Sequence, residues 1–136
     1  MILVAAAWAI LQSPEYRAWF RERLTDNERD AIIATAMRLQ QDGPALRRPL
    51  SGIMKGSRFP NMKELIPPAG NIRILYIFDP KRRAIFLLGG DKTDDWSDWY
   101  TRNIPIADAI YERHLATLAS AAASRSLKHK AGGRQR

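Results

Sequence analysis

The sequence predicts a single α+β domain, in which two N-terminal helices precede a small antiparallel β-sheet and C-terminal helices follow it. Apolar residues recur at helical spacing near the N-terminus, form short β-branched runs in the middle, and return to helical spacing afterwards. A chain of 136 residues with 46% hydrophobic side chains can bury one core. We therefore expect one domain over residues 1–123 and a basic, disordered tail over residues 124–136.

The first two helices are predicted from their start signals. Ser13 before Pro14 is an N-cap residue followed by a proline at the first helical position, which predicts a helix over residues 14–24. Thr25 and Glu28 have capping-box spacing, so a second helix begins near residue 26 and ends at Gly43. The second helix is expected to turn five apolar residues inward: Ile32, Ile33, Ala36, Met37 and Leu39.

Three apolar runs predict the strands of the sheet. They cover residues 61–66, 72–78 and 84–90, and the last two flank a turn with Asp79-Pro80, as in an antiparallel hairpin. Residues 44–60 contain three prolines and are predicted to be a long exposed connection. Residues 1–11 are apolar and lack a basic start, so we expect a buried strand with extra residues in front rather than a signal peptide.

Two separate helices are predicted after the sheet. Acidic residues at positions 94 and 95 begin a short helix, whose aromatic ridge consists of Trp96, Trp99 and Tyr100. A final helix begins at Ile104-Pro105 and its apolar pattern ends near residue 118. His114 lies within that apolar stripe, so it is expected to be a packing residue rather than a catalytic one.

Composition narrows the classes of function. Residues 47–92 carry ten basic and three acidic side chains, a net charge of +7 within a chain of net charge +8. This favours nucleic acid as a partner over an acidic protein or a merely solvated surface. The chain has no cysteine and only two histidines, so we expect no metal site and a reducing compartment, the cytoplasm. No apolar stretch reaches the ~20 residues of a membrane span.

One ordered series of residues spans most of the chain. It comprises Gly56-Ser57-Arg58, Asn61-Met62-Lys63-Glu64-Leu65, Ile72-Arg73-Ile74, Phe78-Asp79-Pro80, Gly90-Asp91-Lys92, Trp96, Trp99-Tyr100, Ile104-Pro105 and His114-Leu115. Over residues 8–118 the sequence resembles the HigB-like branch of the RelE/ParE toxin superfamily. The resemblance implies the RelE-like fold, with two helices packed on a small twisted antiparallel sheet.

The resemblance also implies a function. HigB and RelE members are the toxins of type II toxin–antitoxin pairs, and they cleave mRNA on the ribosome without a cofactor. ParE members of the same fold poison DNA gyrase, and a non-catalytic RNA-binding member is the third alternative, because fold alone does not settle function. The implied partners are the ribosome, mRNA and a cognate helix-turn-helix antitoxin in a hetero-oligomeric complex, with no membrane partner.

Candidate catalytic residues follow from the chemistry of RNA cleavage. Attack of a 2′-hydroxyl on the adjacent phosphate needs a proton acceptor, a proton donor and positive charge. Arg73 matches the family's central-strand arginine and suits a phosphate clamp, although an ion pair with Asp79 or Glu64 is the alternative. Lys92, crowded by Arg73 and Lys63, is expected to have a lowered pKa, unless it is a surface lysine beside acidic neighbours. The predicted catalytic residues are Arg73, Lys92, Lys63 and Tyr100.

Further residues are candidates for binding RNA. Basic side chains would contact phosphates and an aromatic ring would stack on a base. These candidates are Arg58, Lys55, Trp99, Lys81, Arg82 and Arg83. Each basic group could instead be solvated, and about half of the aromatic ridge is expected to belong to the core. We expect the basic tail to be solvated rather than an electrostatic tether to RNA.

Overall fold

A computed structural model describes the backbone of residues 7–133 and the side chains of residues 7–128. The elements are, in chain order, β1 (Ile10–Gln12), α1 (Pro14–Glu22), α2 (Asp26–Asp42), β2 (Ser51–Ile53), β3 (Lys63–Leu65), β4 (Ile72–Phe78), β5 (Ala84–Asp91) and α3 (Trp96–Gly133). The strands form one sheet in the order β1-β5-β4-β3-β2. Only β1 and β5 pair in parallel among these strands. The predicted α+β class is confirmed.

Helices α1 and α2 begin where their capping residues predict. The Ser13 hydroxyl accepts a hydrogen bond from the backbone N–H of Tyr16 and donates one to the carbonyl of Leu87. This N-cap therefore also fastens the start of α1 to β5. Thr25 and Glu28 form the predicted capping box at the start of α2.

Helices cover both faces of the sheet. The first face packs against α1 and α2 through a core that includes Tyr16, Ile32, Leu39, Ile74 and Phe86. The second face packs against α3 through a core that includes Leu75, Ile77, Leu87, Trp99 and Tyr111. Because side chains alternate along a strand, neighbouring residues of β4 belong to different cores.

Two local predictions about this part of the chain are wrong. Ile33 and Met37 are 49% and 56% exposed, because the sheet covers only the side of α2 that carries Ile32, Thr35 and Leu39. The predicted connection over residues 44–60 contains strand β2, which pairs with β3. This three-residue strand is stabilised by its pairing with β3, so its own residues give little indication that they form a strand.

The C-terminal region is one continuous helix rather than two. Pro105 lies inside α3 with its ring exposed, so the N–H that proline lacks would have faced the solvated side of the helix. The side-chain amide of Asn103 donates to the Trp99 carbonyl in the preceding turn. Packing of Ile104 and Ala107 on the sheet stabilises helix on both sides of the proline.

Helix α3 also continues to Gly133, whereas a tail without regular structure was expected from residue 124. The last three residues of that tail lie outside the described part. No helix within the described residues has the length and apolar content needed to cross a membrane.

The β4–β5 hairpin sets the position of the functional residues. Its register places Arg73 opposite Gly90 and Ile72 opposite Asp91, so Lys92 follows immediately beside the start of β4. At the other end of the hairpin, the buried Asp79 carboxylate accepts hydrogen bonds from the Arg83 side chain and contacts His114 Nε2 at 2.9 Å. His114 therefore fastens α3 to the hairpin turn, consistent with a packing role.

Candidate active site

Lys92 lies just beyond β5, and its ammonium group packs against two aromatic rings of α3. Its Nζ lies 4.7 Å from the ring centre of Trp96 and 5.2 Å from that of Tyr100. The residue is 9% exposed, and its backbone N–H donates to the carbonyl of Asn71 just before β4. Lys92 is therefore a nearly buried, positioned lysine rather than a surface lysine.

The surroundings of Lys92 favour its neutral form. Burial lowers the pKa of Lys92, and the positive charges of Arg73 and Arg48 lower it further. The carboxylate of Glu64 acts in the opposite direction without reversing the shift. The neutral amine is therefore more accessible than in an ordinary lysine, as proton transfer requires.

Arg73 and Glu64 form a loose, mostly buried ion pair beside Lys92. Arg73 Nε lies 3.8 Å from Glu64 Oε1, and the two side chains are 13% and 5% exposed. Arg73 Nε and Glu64 Oε2 are buried and have no hydrogen-bond partner among the described residues. Arg73 Nη1 donates to the carbonyl of Ile72, which orients the guanidinium. Buried polar atoms without partners are uncommon in folded proteins.

Tyr100 completes this arrangement from the first turns of α3. Burial raises the pKa of Tyr100 to about 12, with a further contribution from the Glu64 carboxylate next to it. Its hydroxyl therefore keeps its proton at neutral pH and is available as a hydrogen-bond donor. We call Arg48, Glu64, Arg73, Lys92 and Tyr100 the basic cluster.

Arg48 is the member of the basic cluster that the sequence did not single out. Its guanidinium lies against Gly52 of β2, where a Cβ atom would come within 2.8 Å of Nη2. Gly52 is opposite Glu64 in the β2–β3 register, so Arg48 reaches the face that carries Glu64. The sequence alone gives little indication that Arg48 belongs to the basic cluster, because its position there depends on the pairing of β2 with β3.

The aromatic ridge of α3 is divided between the core and the surface. Trp99 is 5% exposed and packs over Gly90, where a Cβ atom would lie 2.6 Å from its indole nitrogen. Trp96 is 58% exposed and adopts a φ of 41°, in the left-handed region that is unusual for a bulky residue. The predicted stacking residue Trp99 is thus a core residue, whereas Trp96 is the tryptophan that faces solvent beside Lys92.

Lys63 lies apart from the basic cluster. It is adjacent to Glu64 in β3 and therefore points to the opposite face of the sheet. Its Nζ donates to the Pro44 carbonyl at 3.3 Å and lies 5.6 Å from the ring centre of Phe78. The expected crowding of Lys92 by Lys63 is therefore not found, and Arg48 takes that place.

The predicted RNA-binding residues occupy separate locations. Arg58 forms ion pairs with Glu112 at 2.5 Å and with Asp108 at 3.8 Å, while Lys55 is exposed in the loop after β2.

The three consecutive basic residues Lys81, Arg82 and Arg83 lie at the hairpin turn. The seven residues of β4 separate this turn from Lys92 by about 20 Å. There Arg83 is paired with Asp79, Arg82 lies 5.1 Å from the ring centre of Trp8, and Lys81 is exposed. The structure therefore brings none of the five basic RNA-binding candidates into the basic cluster.

The fold resembles that of a solved toxin. A mutant of Escherichia coli toxin RelE in the free state aligns with a TM-score of 0.54 and 12% identity, covering 70% of this chain and 92% of that one. An identity this low establishes similarity of fold alone.

Sequence comparisons identify the family. The family described as "Phage derived protein Gp49-like (DUF891)" matches residues 18–112. "Putative toxin HigB3" of Mycobacterium tuberculosis is 43% identical over 109 residues, which is 80% of this chain and 95% of that protein. "Putative toxin HigB2" of the same organism is 42% identical over 90 residues, 64% of this chain and 45% of that protein. The chain therefore belongs to the Gp49-like family of HigB-type toxins.

Proposed function

We propose that this protein, as the toxin of a type II toxin–antitoxin pair, is a metal-independent, ribosome-dependent endoribonuclease that cleaves mRNA and inhibits translation. The observation that carries the proposal is the basic cluster. Three cations and a tyrosine hydroxyl converge around one carboxylate, and two buried polar atoms there have no hydrogen-bond partner among the described residues. A gyrase-binding protein has no need of such a phosphate-directed arrangement.

The cluster supplies the groups that RNA cleavage requires. In the proposed reaction the 2′-oxygen bonds to phosphorus while the bond from phosphorus to the 5′-oxygen breaks, and one proton moves from the attacking to the leaving oxygen. Arg73 holds the phosphate and offsets its growing negative charge. Lys92, with its lowered pKa, transfers the proton, and Tyr100 donates a hydrogen bond to a phosphate oxygen.

The exposed indole of Trp96 gives the proposed site a stacking surface for a base next to the cleaved bond. It lies against Lys92 and has 58% of its surface open to solvent. Aromatic stacking on unpaired bases is a common mode of single-stranded RNA recognition. Within this proposal Trp96 takes the role first expected of Trp99.

The ribosome's proposed contribution is alignment of the message. A reactive geometry for 2′-hydroxyl and phosphate can lower the barrier by ~7 to 11 kcal/mol, and the basic cluster contains few groups that would bend a flexible strand. A fixed codon supplies that geometry. We place this activity in the cytoplasm, and we propose that a helix-turn-helix antitoxin blocks the cluster in a toxin–antitoxin complex.

Primer-extension mapping of messages after brief induction tests the proposed function. We expect discrete cuts within translated regions, and we expect none after induction of an Arg73→Ala variant at equal protein level. Intact messages together with gyrase-linked DNA breaks would contradict the proposal and support a ParE-like activity. Arrested translation with intact messages and intact DNA would also contradict it and indicate a non-catalytic RNA-binding protein.

A further inference from the structure

A second basic site adjoins the basic cluster at the outer edge of the sheet. A cavity of about 800 Å³ lies along β2, and Arg47, Arg48 and Lys63 are among its lining residues. None of the residues that line it is acidic. Its volume lies within the range of small-molecule sites and is sufficient for a nucleotide.

The cations of this cavity are available for a ligand. Arg47 and Arg48 are exposed, and neither has a carboxylate within 4.0 Å among the described residues, in contrast to Arg58. Lys63 uses one N–H to contact the Pro44 carbonyl, and an ammonium group has three. Burial lowers the pKa of Lys63, so an anion in the cavity would offset the penalty on its charged form.

Arg48 connects the cavity to the basic cluster. Its guanidinium lines the cavity, lies against Gly52, and lowers the pKa of Lys92 through its charge. Ile53, whose side chain is 69% exposed, is opposite Lys63 in the β2–β3 register, so the cavity extends around the edge of β2 to the other face. Arg48 is therefore shared by the cavity, which Lys63 also lines, and by the basic cluster that contains Lys92.

We propose that this cavity binds a phosphodiester group of single-stranded RNA that flanks the phosphate held at Arg73 and Lys92. Arg47 and Lys63 contact the flanking phosphate, and Arg48 lies between the two phosphates. This site rests on the proposed nuclease function, because it assumes that the strand passes through the basic cluster. It assigns Lys63 to substrate binding on the far side of β2 rather than to catalysis.

The test measures binding rather than cleavage. Fluorescence anisotropy gives the affinity for a labelled eight-nucleotide RNA, made uncleavable by 2′-O-methyl groups, at several salt concentrations. We expect an Arg47→Gln/Lys63→Gln variant to bind at least tenfold more weakly. Because the variant loses both contacts to one phosphate, the slope of log K against log salt should become shallower by about 0.7.

A matched control removes the same charge elsewhere. Arg17 and Arg23 are exposed on or beside α1, which packs on β5, two strands away from β3. The Arg17→Gln/Arg23→Gln variant should change the affinity less than threefold. Gly52→Ala, which displaces the Arg48 guanidinium without changing charge, should weaken binding by an intermediate factor. Thermal melts verify that each variant is folded.

Several results would overturn the proposal. These are equal RNA affinity for the cavity variant and wild type, equal losses in the cavity and control variants, or no binding by wild type at low salt. Loss of affinity for an oligoglutamate peptide with unchanged RNA affinity would assign the cavity to an acidic protein partner. If RNA binding depends on the cavity but translated message is not cleaved, the proposed RNA-binding site is supported and the proposed nuclease function is contradicted.

Discussion

Arg73 and Lys92 are held close together although electrostatic repulsion and burial both act against it. Burial and the charge of Arg73 lower the pKa of Lys92, and Arg73 Nε lacks a hydrogen-bond partner among the described residues. An unsatisfied buried polar group costs about 1–3 kcal/mol. Unfavourable arrangements of this kind are typical of functional sites, where groups are placed for a ligand rather than for stability.

Removing either cation should abolish activity and leave the fold intact. Because Arg73 holds the reacting phosphate and Lys92 transfers the proton in our proposal, Arg73→Ala and Lys92→Ala should each reduce cleavage of translated message by about 10²- to 10⁴-fold. Cleavage is measured by primer extension, and unfolding by urea titration of the same samples. Arg17→Ala, on the exposed side of α1, is the control. Full activity in both cluster variants would mean that the site lies elsewhere.

The two tryptophans of α3 should respond differently to substitution. Trp99 is buried over Gly90, so Trp99→Ala should lower the free energy of unfolding by about 3–5 kcal/mol. Trp96 is exposed beside Lys92, so Trp96→Ala should change the free energy of unfolding by no more than about 1 kcal/mol. The same substitution should raise KM for translated message. Trp96→Phe should retain most of the stacking and therefore a KM close to that of wild type. Urea titration and cleavage kinetics measure the two effects. Normal KM in Trp96→Ala would exclude a stacking role.

At the scale of elements, an important contact between α3 and the sheet lies at the turn between β4 and β5. Asp79 has a fully buried side chain that contacts Arg83 in the turn and His114 in α3. Burial by itself acts to raise the pKa of Asp79, but the hydrogen bonds from Arg83 and His114 outweigh it, so the pKa is lowered. The ionised carboxylate thus stabilises the attachment of α3 to the sheet.

This contact should make the free energy of unfolding depend on pH in a defined direction. Because the folded-state pKa of Asp79 is below its ordinary value of 3.8, its contribution is present above that pH and is lost as the pH falls through the folded-state pKa. Asp79→Asn should therefore cost about 3 kcal/mol at pH 7. Urea titrations should find a smaller difference from wild type at pH 3 than at pH 7, and a constant difference would refute this role.

The elements that the sequence predicts well are those with local signals. Ser13 and Thr25 mark helix starts through contacts within four residues, and β4 matches its predicted range because its apolar run is long. Strand β2 and the continuity of α3 across Pro105 depend on packing against distant residues, which local patterns do not encode.

The prediction of the site was limited in a similar way, because the register of the strands decides which face of the sheet each residue occupies. Lys63 and Glu64 are neighbours on opposite faces of β3, and a shift of one residue exchanges them. The sequence alone therefore indicated a basic site containing Arg73 and Lys92 and offered Glu64 as one alternative ion-pair partner of Arg73, but it did not single out Arg48.

At the scale of the whole molecule, charge is organised around the sheet edge formed by β2 and β3. Arg48, Arg73 and Lys92 converge there, while Arg58 and Arg83 are neutralised by carboxylates. Lys55, Lys81 and Arg82 lie outside this region, so it holds only part of the net charge of +7 over residues 47–92. This arrangement would attract RNA at a rate and affinity that fall as salt rises.

The C-terminal segment should be dispensable for folding. Residues 122–128 are exposed throughout, so the end of α3 buries little apolar surface. A chain ending at residue 123 should therefore melt within about 4 °C of the full chain, the scale of about 1 kcal/mol in a small domain. Scanning calorimetry of the two proteins measures the difference. A larger decrease would mean that the domain extends beyond residue 123.

The most direct test of ribosome-dependent cleavage is a paired assay of one message with and without programmed ribosomes. In our proposal the basic cluster supplies charge and a proton-transfer group but few contacts that bend a strand, so the ribosome supplies the alignment. We predict that wild type cuts the ribosome-bound message at least a hundredfold faster than the free message, and that Arg73→Ala cuts neither. Equal rates in the two reactions would contradict ribosome dependence, and no cleavage in either would contradict the nuclease function itself.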